Sequence, residues 1–447
     1  MKAKPLIFII VLLALGLLAS LILYALVGSG TENPDLSESP PESEETALSA
    51  AAAPAATPTP LPTPEPTLPL GEPQHAAEQL SLTLDYDDPV AASNLLDDFY
   101  QSDYTLPAGT QLTLTSGQEI ASLYIIFGTY PGEWTLRSGG GEQRCGQDGF
   151  LHECVTVDTP SRSVQICLSE DEDVLIRDIY AFSEGYLPDY VQTWQRLVGG
   201  ADILLFSTHA DDELIFFGGL IPYYSAERGA RVQVAYMTSN YLSDFSNYRF
   251  RPHEALNGLW ECGDHFYPVT NEVPDYESRS YWDAVYYYGE EQFVEFQVEQ
   301  IRRFKPLVVV TQAEDGEYGH GSHILTALSV EKAVEAAADP TQYPESAEKY
   351  GVWDTPKTYL HYYGDPEEYT WLSYETISPA LGWRTPFQAA QAAYRMHLTQ
   401  QHWGFYVYGF GHPYDSHRFG LYRSLVGPDE KHNDLLEHVD REQFPAG

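Results

Sequence analysis

Residues 201–220 read ADILLFSTHADDELIFFGGL. An apolar run at 203–206 ends in Ser207-Thr208, the crest His209-Ala210-Asp211-Asp212-Glu213 follows, and 214–220 is apolar again. A buried strand that stops at a polar crest and turns into a helix is how open α/β sheets build sites, beyond the strands' carboxyl ends. Three carboxylates and an imidazole within five residues are costly to hold together unless positive charge sits among them. A divalent metal meets that need. A polar turn with an N-cap and acidic residues facing the helix dipole is the other reading, and this stretch alone leaves both open.

Strand and helix signals alternate from here to the C-terminus, over residues 199–447. The patterns predict strands at 203–207, 231–238 and 307–311, and helices at 212–228, 251–262, 292–304 and 324–338. Pro222 is expected to kink the first helix, and Thr385-Pro386 caps another that runs to about 402. Uninterrupted apolar strands between helices predict a Rossmann-like α/β domain with a mostly parallel sheet. The strand at 307–311 (LVVVT) ends in a second crest, Gln312-Ala313-Glu314-Asp315-Gly316-Glu317-Tyr318-Gly319-His320-Gly321-Ser322-His323. It should open on the same sheet edge as the first. Two histidines three residues apart can face one pocket from a single helical turn. Catalytic zinc takes three protein ligands from the His, Asp and Glu set and keeps one open position, and the two crests together supply such a set.

An HPDDE-like crest after the first strand and a later GHxxH resemble the PIG-L/LmbE superfamily of zinc-dependent N-acetylglucosaminyl deacetylases. The resemblance covers about residue 201 to the C-terminus. It implies that His209, Asp212 and His323 ligate Zn2+, with Fe2+ tolerated by the same donors. It implies that Asp211 is the general base, taking a proton from water and delivering it to the leaving amine. Zinc lowers the pKa of bound water toward about 7. Tyr318 and a protonated His320 match groups that stabilise the tetrahedral oxyanion, where one preorganised donor is worth about 3–4 kcal/mol. Arg251, in Arg251-Pro252-His253-Glu254, matches an R-x-x-E segment whose arginine reaches the sugar. Ala210 stands where the family has proline. Gly321-Ser322 stands where it has Pro-Asp, an aspartate that would tune the first histidine. Glu213 reads as a supporting residue at the helix N-terminus, and His265, His361 and His397 carry no assignment. His412 and His417 (GHPYDSH) read as loop residues near the pocket, and the tyrosine-rich stretch 276–288 as a packed edge or a sugar platform.

Upstream, residues 75–187 carry TQLTLTS, ASLYIIFG, EWTLRS, ECVTVD, SVQICLS and DVLIRDIYAFSE, short alternating segments between turns. They predict a β-sandwich. The opening Ala92-Ser93-Asn94-Leu95-Leu96-Asp97-Asp98 and the closing IRDIYAFSE resemble the discoidin-like, galactose-binding jelly roll, which implies either a glycan binder or a brace for its neighbour. Residues 28–74 are acidic and Ser-rich, then Ala-rich, then Pro-rich. They predict a disordered linker whose Pro-rich part extends at ~3.1 Å per residue. Residues 1–27 start with Met1-Lys2-Ala3-Lys4 and then run without a charge. A bilayer span takes about 20 apolar residues and a signal-peptide core about 7–15. A single-pass transmembrane signal-anchor is therefore expected, holding the chain at the cell membrane with its catalytic part extracellular. Secretion after cleavage is the alternative.

The 447 residues include 65 acidic and 24 basic side chains, a net charge of -41. That argues against nucleic acid or an anionic membrane surface as partners. The 33 tyrosines suit sugar stacking as well as ordinary packing. Four cysteines fit an oxidising compartment, and Cys145 and Cys154 flank a Gly-Gln-Asp-Gly turn that suits a local bridge. The expected protein is a multidomain, metal-dependent hydrolase that removes the N-acetyl group from N-acetylglucosamine-containing sugars or glycans outside the cell. A zinc amidase acting on another amide, an inactive extracellular glycan-binding protein and a plain surface adhesin stay open beside it.

Overall fold

Two strands far longer than the sequence pattern predicts organise the N-terminal part of the computed structural model, which describes residues 75–99, 101–239 and 249–446. After β1 (Leu82–Asp85), helix α1 (Pro89–Leu95) and β2 (Tyr104–Leu106) comes β3 (Gln111–Phe127), 17 residues long. β4 (Trp134–Ser138), β5 (Gly141–Cys145), the 16-residue β6 (His152–Cys167) and β7 (Val174–Phe182) follow. They form one seven-stranded sheet in the order β2-β7-β3-β6-β4-β5, with β1 on β3. TQLTLTS and ASLYIIFG are thus a single strand. The polar residues between them shift the register between Thr115 and Ile120 without ending the pairing with β6, so the first half of β3 meets β1 and the second meets β7. The short strands expected here merge into long, register-shifted strands hydrogen-bonded as one sheet. The bridge expected between Cys145 and Cys154 is also corrected: all four cysteines are free thiols. Cys145 lies opposite Trp134 and Cys154 opposite Tyr124, in different strand pairs.

The second sheet collects the apolar runs of the C-terminal part. Its strands are β8 (Ile203–Ser207), β9 (Val232–Tyr236), β10 (Val269–Thr270), β11 (Val308–Thr311), β12 (Lys357–His361), β13 (Thr370–Trp371) and β14 (Arg418–Ser424). The order is β10-β9-β8-β11-β12-β14-β13. β10 through β12 pair in parallel, and β14 and β13 add antiparallel pairs at one edge. The helices used below are α2 (Asp212–Ile215), α3 (Arg251–Glu261), α4 (Tyr281–Tyr288), α5 (Glu290–Phe304) and α6 (Gly321–Ala336). The chain winds outward from β8 through β9 to β10, then restarts at β11 on the other side. The sheet therefore reverses between β8 and β11, the switch point where open α/β sheets place ligands. Both crests leave from it.

The expected membrane-spanning segment, residues 1–27, and the linker, 28–74, lie outside the described residues. Among the described residues no helix is long and apolar enough to cross a membrane. The longest, α6, has 16 residues where a span takes about 20. The fold class is corrected to a mixed α/β fold with a β-rich N-terminal region, and the structure supports neither the membrane anchor nor the cell-membrane location.

The described residues pack as one unit, and a buried hydrogen-bond chain ties its β-rich sheet to α3. Arg177 Nε lies 3.0 Å from His253 Nε2, His253 Nδ1 2.9 Å from His152 Nε2, and His152 Nδ1 2.7 Å from Gln192 Oε1. Guanidinium only donates, so His253 Nε2 must accept, and its Nδ1–H donates to His152. His152 in turn donates to Gln192. One direction of donation fixes both tautomers, and both imidazoles are neutral.

Candidate metal and catalytic site

Hydrogen bonds stitch the two crests together before any site residue is counted. Thr208 Oγ1 bonds Gln312 and, at 2.7 Å, Thr326 Oγ1 of α6. On the first crest, Asp211 is the N-cap of α2 with φ of 120°, a strained backbone for a residue with a side chain. Its surroundings hold it there. Arg251 donates to the Ala210 carbonyl at 2.6 Å and to Asp211 Oδ1 at 3.3 Å, while the Asp211 N–H donates to Glu213 Oε2 at 2.7 Å.

Three candidate ligands converge. Asp212 Oδ2 lies 2.9 Å from His209 Nδ1 and 3.1 Å from His323 Nε2, and those nitrogens are 3.2 Å apart. Tetrahedral coordination at 2.0–2.1 Å spaces its donors by about 3.3 Å. His320 is close as well: ligand atoms of His209, His320 and His323 lie within 4.8 Å of one another. The donor set calls for a cation. Asp211, Asp212, Glu213, Asp275 and Glu317 are all under a tenth exposed, and the Arg251 guanidinium is bonded among them. Without a metal, protons do the balancing. Burial opposes charge on His209, but Asp275 and Asp212 raise it to about 10. Burial likewise opposes charge on His323, yet Asp212 and Glu317 raise it to about 9. The same imidazoles, working against burial, hold Asp212 well below the carboxylate range. A divalent ion on these donors would replace those protons.

The other expected residues surround this triad. Burial, partly offset by Arg251, pushes Asp211 up to about 7. Tyr318 is 44 % exposed, its ring 5.7 Å from that of His320 and 5.6 Å from that of His323. His320, expected as a protonated group, stands beside the two imidazoles that carry the protons when no metal is bound. Burial and the charges of His323 and His209 push its pKa far down, and its Nδ1 has no hydrogen-bond partner. Ser322, where the family has aspartate, bonds the Ser278 hydroxyl at 2.7 Å instead. Gly321 has a local reason too: a Cβ there would come within 2.1 Å of the Ser280 carbonyl oxygen. Arg251, expected at the sugar, is 4 % exposed and bonds Asp211, Asp275 and the Ala210 carbonyl.

Sequence reasoning passed over three residues. Glu317 takes His323 Nδ1 at 2.9 Å on one oxygen, and His361 Nδ1 at 3.1 Å plus the Ala313 N–H at 2.9 Å on the other. A carboxylate behind a ligating histidine fixes its tautomer and orientation. Asp275 lies 3.2 Å from His209 Nε2. Glu317 stood inside the quoted crest and could have been suspected; Asp275 and His361 belong to no motif. His417 pairs with Asp415 at 2.6 Å and His412 stacks on Tyr408.

Residues 204–334 match the family model PIG-L, described as GlcNAc-PI de-N-acetylase. This stretch belongs to the PIG-L family. All seven expected site residues fall inside the PIG-L domain. The chain is 28% identical over 183 residues to a 1D-myo-inositol 2-acetamido-2-deoxy-alpha-D-glucopyranoside deacetylase of Geodermatophilus obscurus, covering 35% of this chain and 60% of that protein. The Rhodococcus erythropolis protein of the same name is 31% identical over 183 residues, covering 35% and 59%. The chain thus spans about 60% of the length of these curated relatives. Among solved structures, N,N'-diacetylchitobiose deacetylase from Pyrococcus horikoshii aligns with a TM-score of 0.35 at 18% identity, covering 46% of this chain and 74% of that one.

Proposed function

We propose that this protein is a metal-dependent deacetylase that hydrolyses the acetamide of an N-acetylglucosamine-containing compound. The observation that carries the reading is the convergence of His209 Nδ1, Asp212 Oδ2 and His323 Nε2 to within 2.9–3.2 Å of one another. They sit at the switch point of a PIG-L domain, among buried carboxylates. His209, Asp212 and His323 would hold the ion, Zn2+ by donor type with Fe2+ also accommodated. The bound ion would supply Lewis acidity toward the acetamide carbonyl and acidify the attacking water. The rest falls to the chain's own residues. Asp211, ionising near neutrality, receives the water proton at its carboxylate and returns it to the amine nitrogen as the C–N bond breaks. Arg251 fixes that carboxylate's direction. Tyr318, kept protonated by burial and by the charges of Asp212 and Asp211, donates from the exposed mouth toward the carbonyl oxygen. His320 is the second donor there. The relatives' names support an N-acetylglucosamine unit in the substrate.

Metal content measured alongside acetate release on a panel of acetamido sugars tests this reading. One divalent ion per chain with acetate and free amine in equal amounts is expected. A metal-loaded protein that binds these sugars and releases no acetate contradicts it.

A further inference from the structure

A cleft of about 720 Å³ opens between the β-rich sheet and the α/β sheet, and none of the proposed metal donors lines it. Helix α3 separates the two places: Arg251 faces Asp211, while Pro252, Ala255 and Leu256 line the cleft. The β-rich side contributes Tyr130 and Glu172 from its loops. Helix α5 contributes Phe296, Gln300 and Arg303, spaced i, i+4, i+7 along one face.

The deciding group is Gln300. It is 4 % exposed, it lines the cleft, and its Oε1 has no hydrogen-bond partner. A buried acceptor left unpaired is costly, and a ligand O–H or N–H that reaches it from the cleft would meet that need. In the same lining the Arg196 guanidinium lies 4.9 Å and 5.0 Å from the ring centroids of Phe150 and Tyr267, a flat cationic ledge. Arg196 and Arg303 are balanced by Glu172 and Glu272 in the same lining. The lining thus carries equal numbers of both charges, with donors and acceptors set among aromatic and apolar surface. A neutral ligand rich in hydroxyls, with an apolar face to lay on a ring, fits that pattern. We propose that this cleft is a second saccharide-binding site, separate from the metal centre, that holds neutral sugar units through Gln300, Arg196 and Tyr130. The site stands whether or not the chain deacetylates its ligand.

Calorimetric titration of the full chain with neutral tetrasaccharides, an N-acetylglucosamine tetramer and a glucose tetramer, tests it against Gln300→Leu and Tyr130→Ala. Tyr130 is 55 % exposed, so its truncation leaves the fold intact even if the buried change at Gln300 does not. At least one tetramer should bind the unmodified protein, with Kd rising tenfold or more in each folded variant. Turnover of a monosaccharide acetamide should stay within twofold of the unmodified protein. No binding at millimolar sugar, or a Kd unchanged in Tyr130→Ala, overturns the proposal. The second result would mean that the sugar is held at the metal centre alone.

Discussion

Glu317 shows how much of the candidate site rests on a carboxylate buried behind the proposed donors. Its backbone sits at φ 57°, and its carboxylate spans His323 and His361. Glu317→Gln keeps the shape and removes the charge, and an outer-shell loss of this kind typically costs 10–100-fold in metal affinity. Competition against a chromophoric chelator should read that drop, with the circular dichroism spectrum unchanged. Protons compete with the metal at the same donors. His209 and His323, raised to about 10 and about 9, are protonated at neutral pH when the ion is absent. Loading must therefore release protons, and metal affinity should rise as pH goes from 6 to 8. An affinity flat across that range would mean that these imidazoles are not the ligands. The proposed donors stand out in the sequence because each crest holds its residues within one turn. Asp275 does not, because its position opposite His209 is made by the chain returning, which no local spacing encodes; Glu317 stood in the crest itself, six residues before His323.

At the scale of elements, the joint between the β-rich sheet and α3 is where pH should act on stability. Burial holds His152 down to about 4, and His253 is pushed down as well. A histidine kept neutral in the fold but free to ionise near 6.5 when unfolded contributes its full stability above 6.5. That contribution declines as pH falls toward 4, because the unfolded chain binds more protons. The loss is about 1.4 kcal/mol per pH unit. His152→Gln keeps a hydrogen-bonding side chain that does not titrate. In urea unfolding, the advantage of the unmodified protein over this variant should shrink by about 2 kcal/mol between pH 7 and pH 5. A difference that does not change with pH would show that the relay is not carrying the joint. Periodicity made β8, β9, β11 and the flanking helices readable, since continuous apolar runs have few other homes. It misjudged β3 and β6, because a register shift inside a long strand looks in sequence like a turn between two short ones.

At the scale of the whole molecule, one buried apolar cluster runs from Leu80 and Ile179 of the β-rich region through Trp194 to Ile203 and Val310 of the α/β sheet. Phe150 stacks on Tyr267 across the same boundary at 4.6 Å. Shared core of this kind couples the two parts. Calorimetry should show a single transition with calorimetric and van't Hoff enthalpies equal, and two resolved transitions would show that the parts unfold independently. The sequence suggested two neighbours from a change of period, from alternation to continuous runs. It held no sign that their cores merge, because the contacts join residues far apart in the chain. The central claim is narrower: His209, Asp212 and His323 hold the ion while Asp211 moves the proton. Metal content and acetate release measured on one preparation of Asp211→Asn test it most directly. The expected result is a full metal complement with turnover down by 10²-fold or more, the usual worth of a positioned base; loss of the metal, or turnover unchanged with the metal in place, would contradict the division of roles.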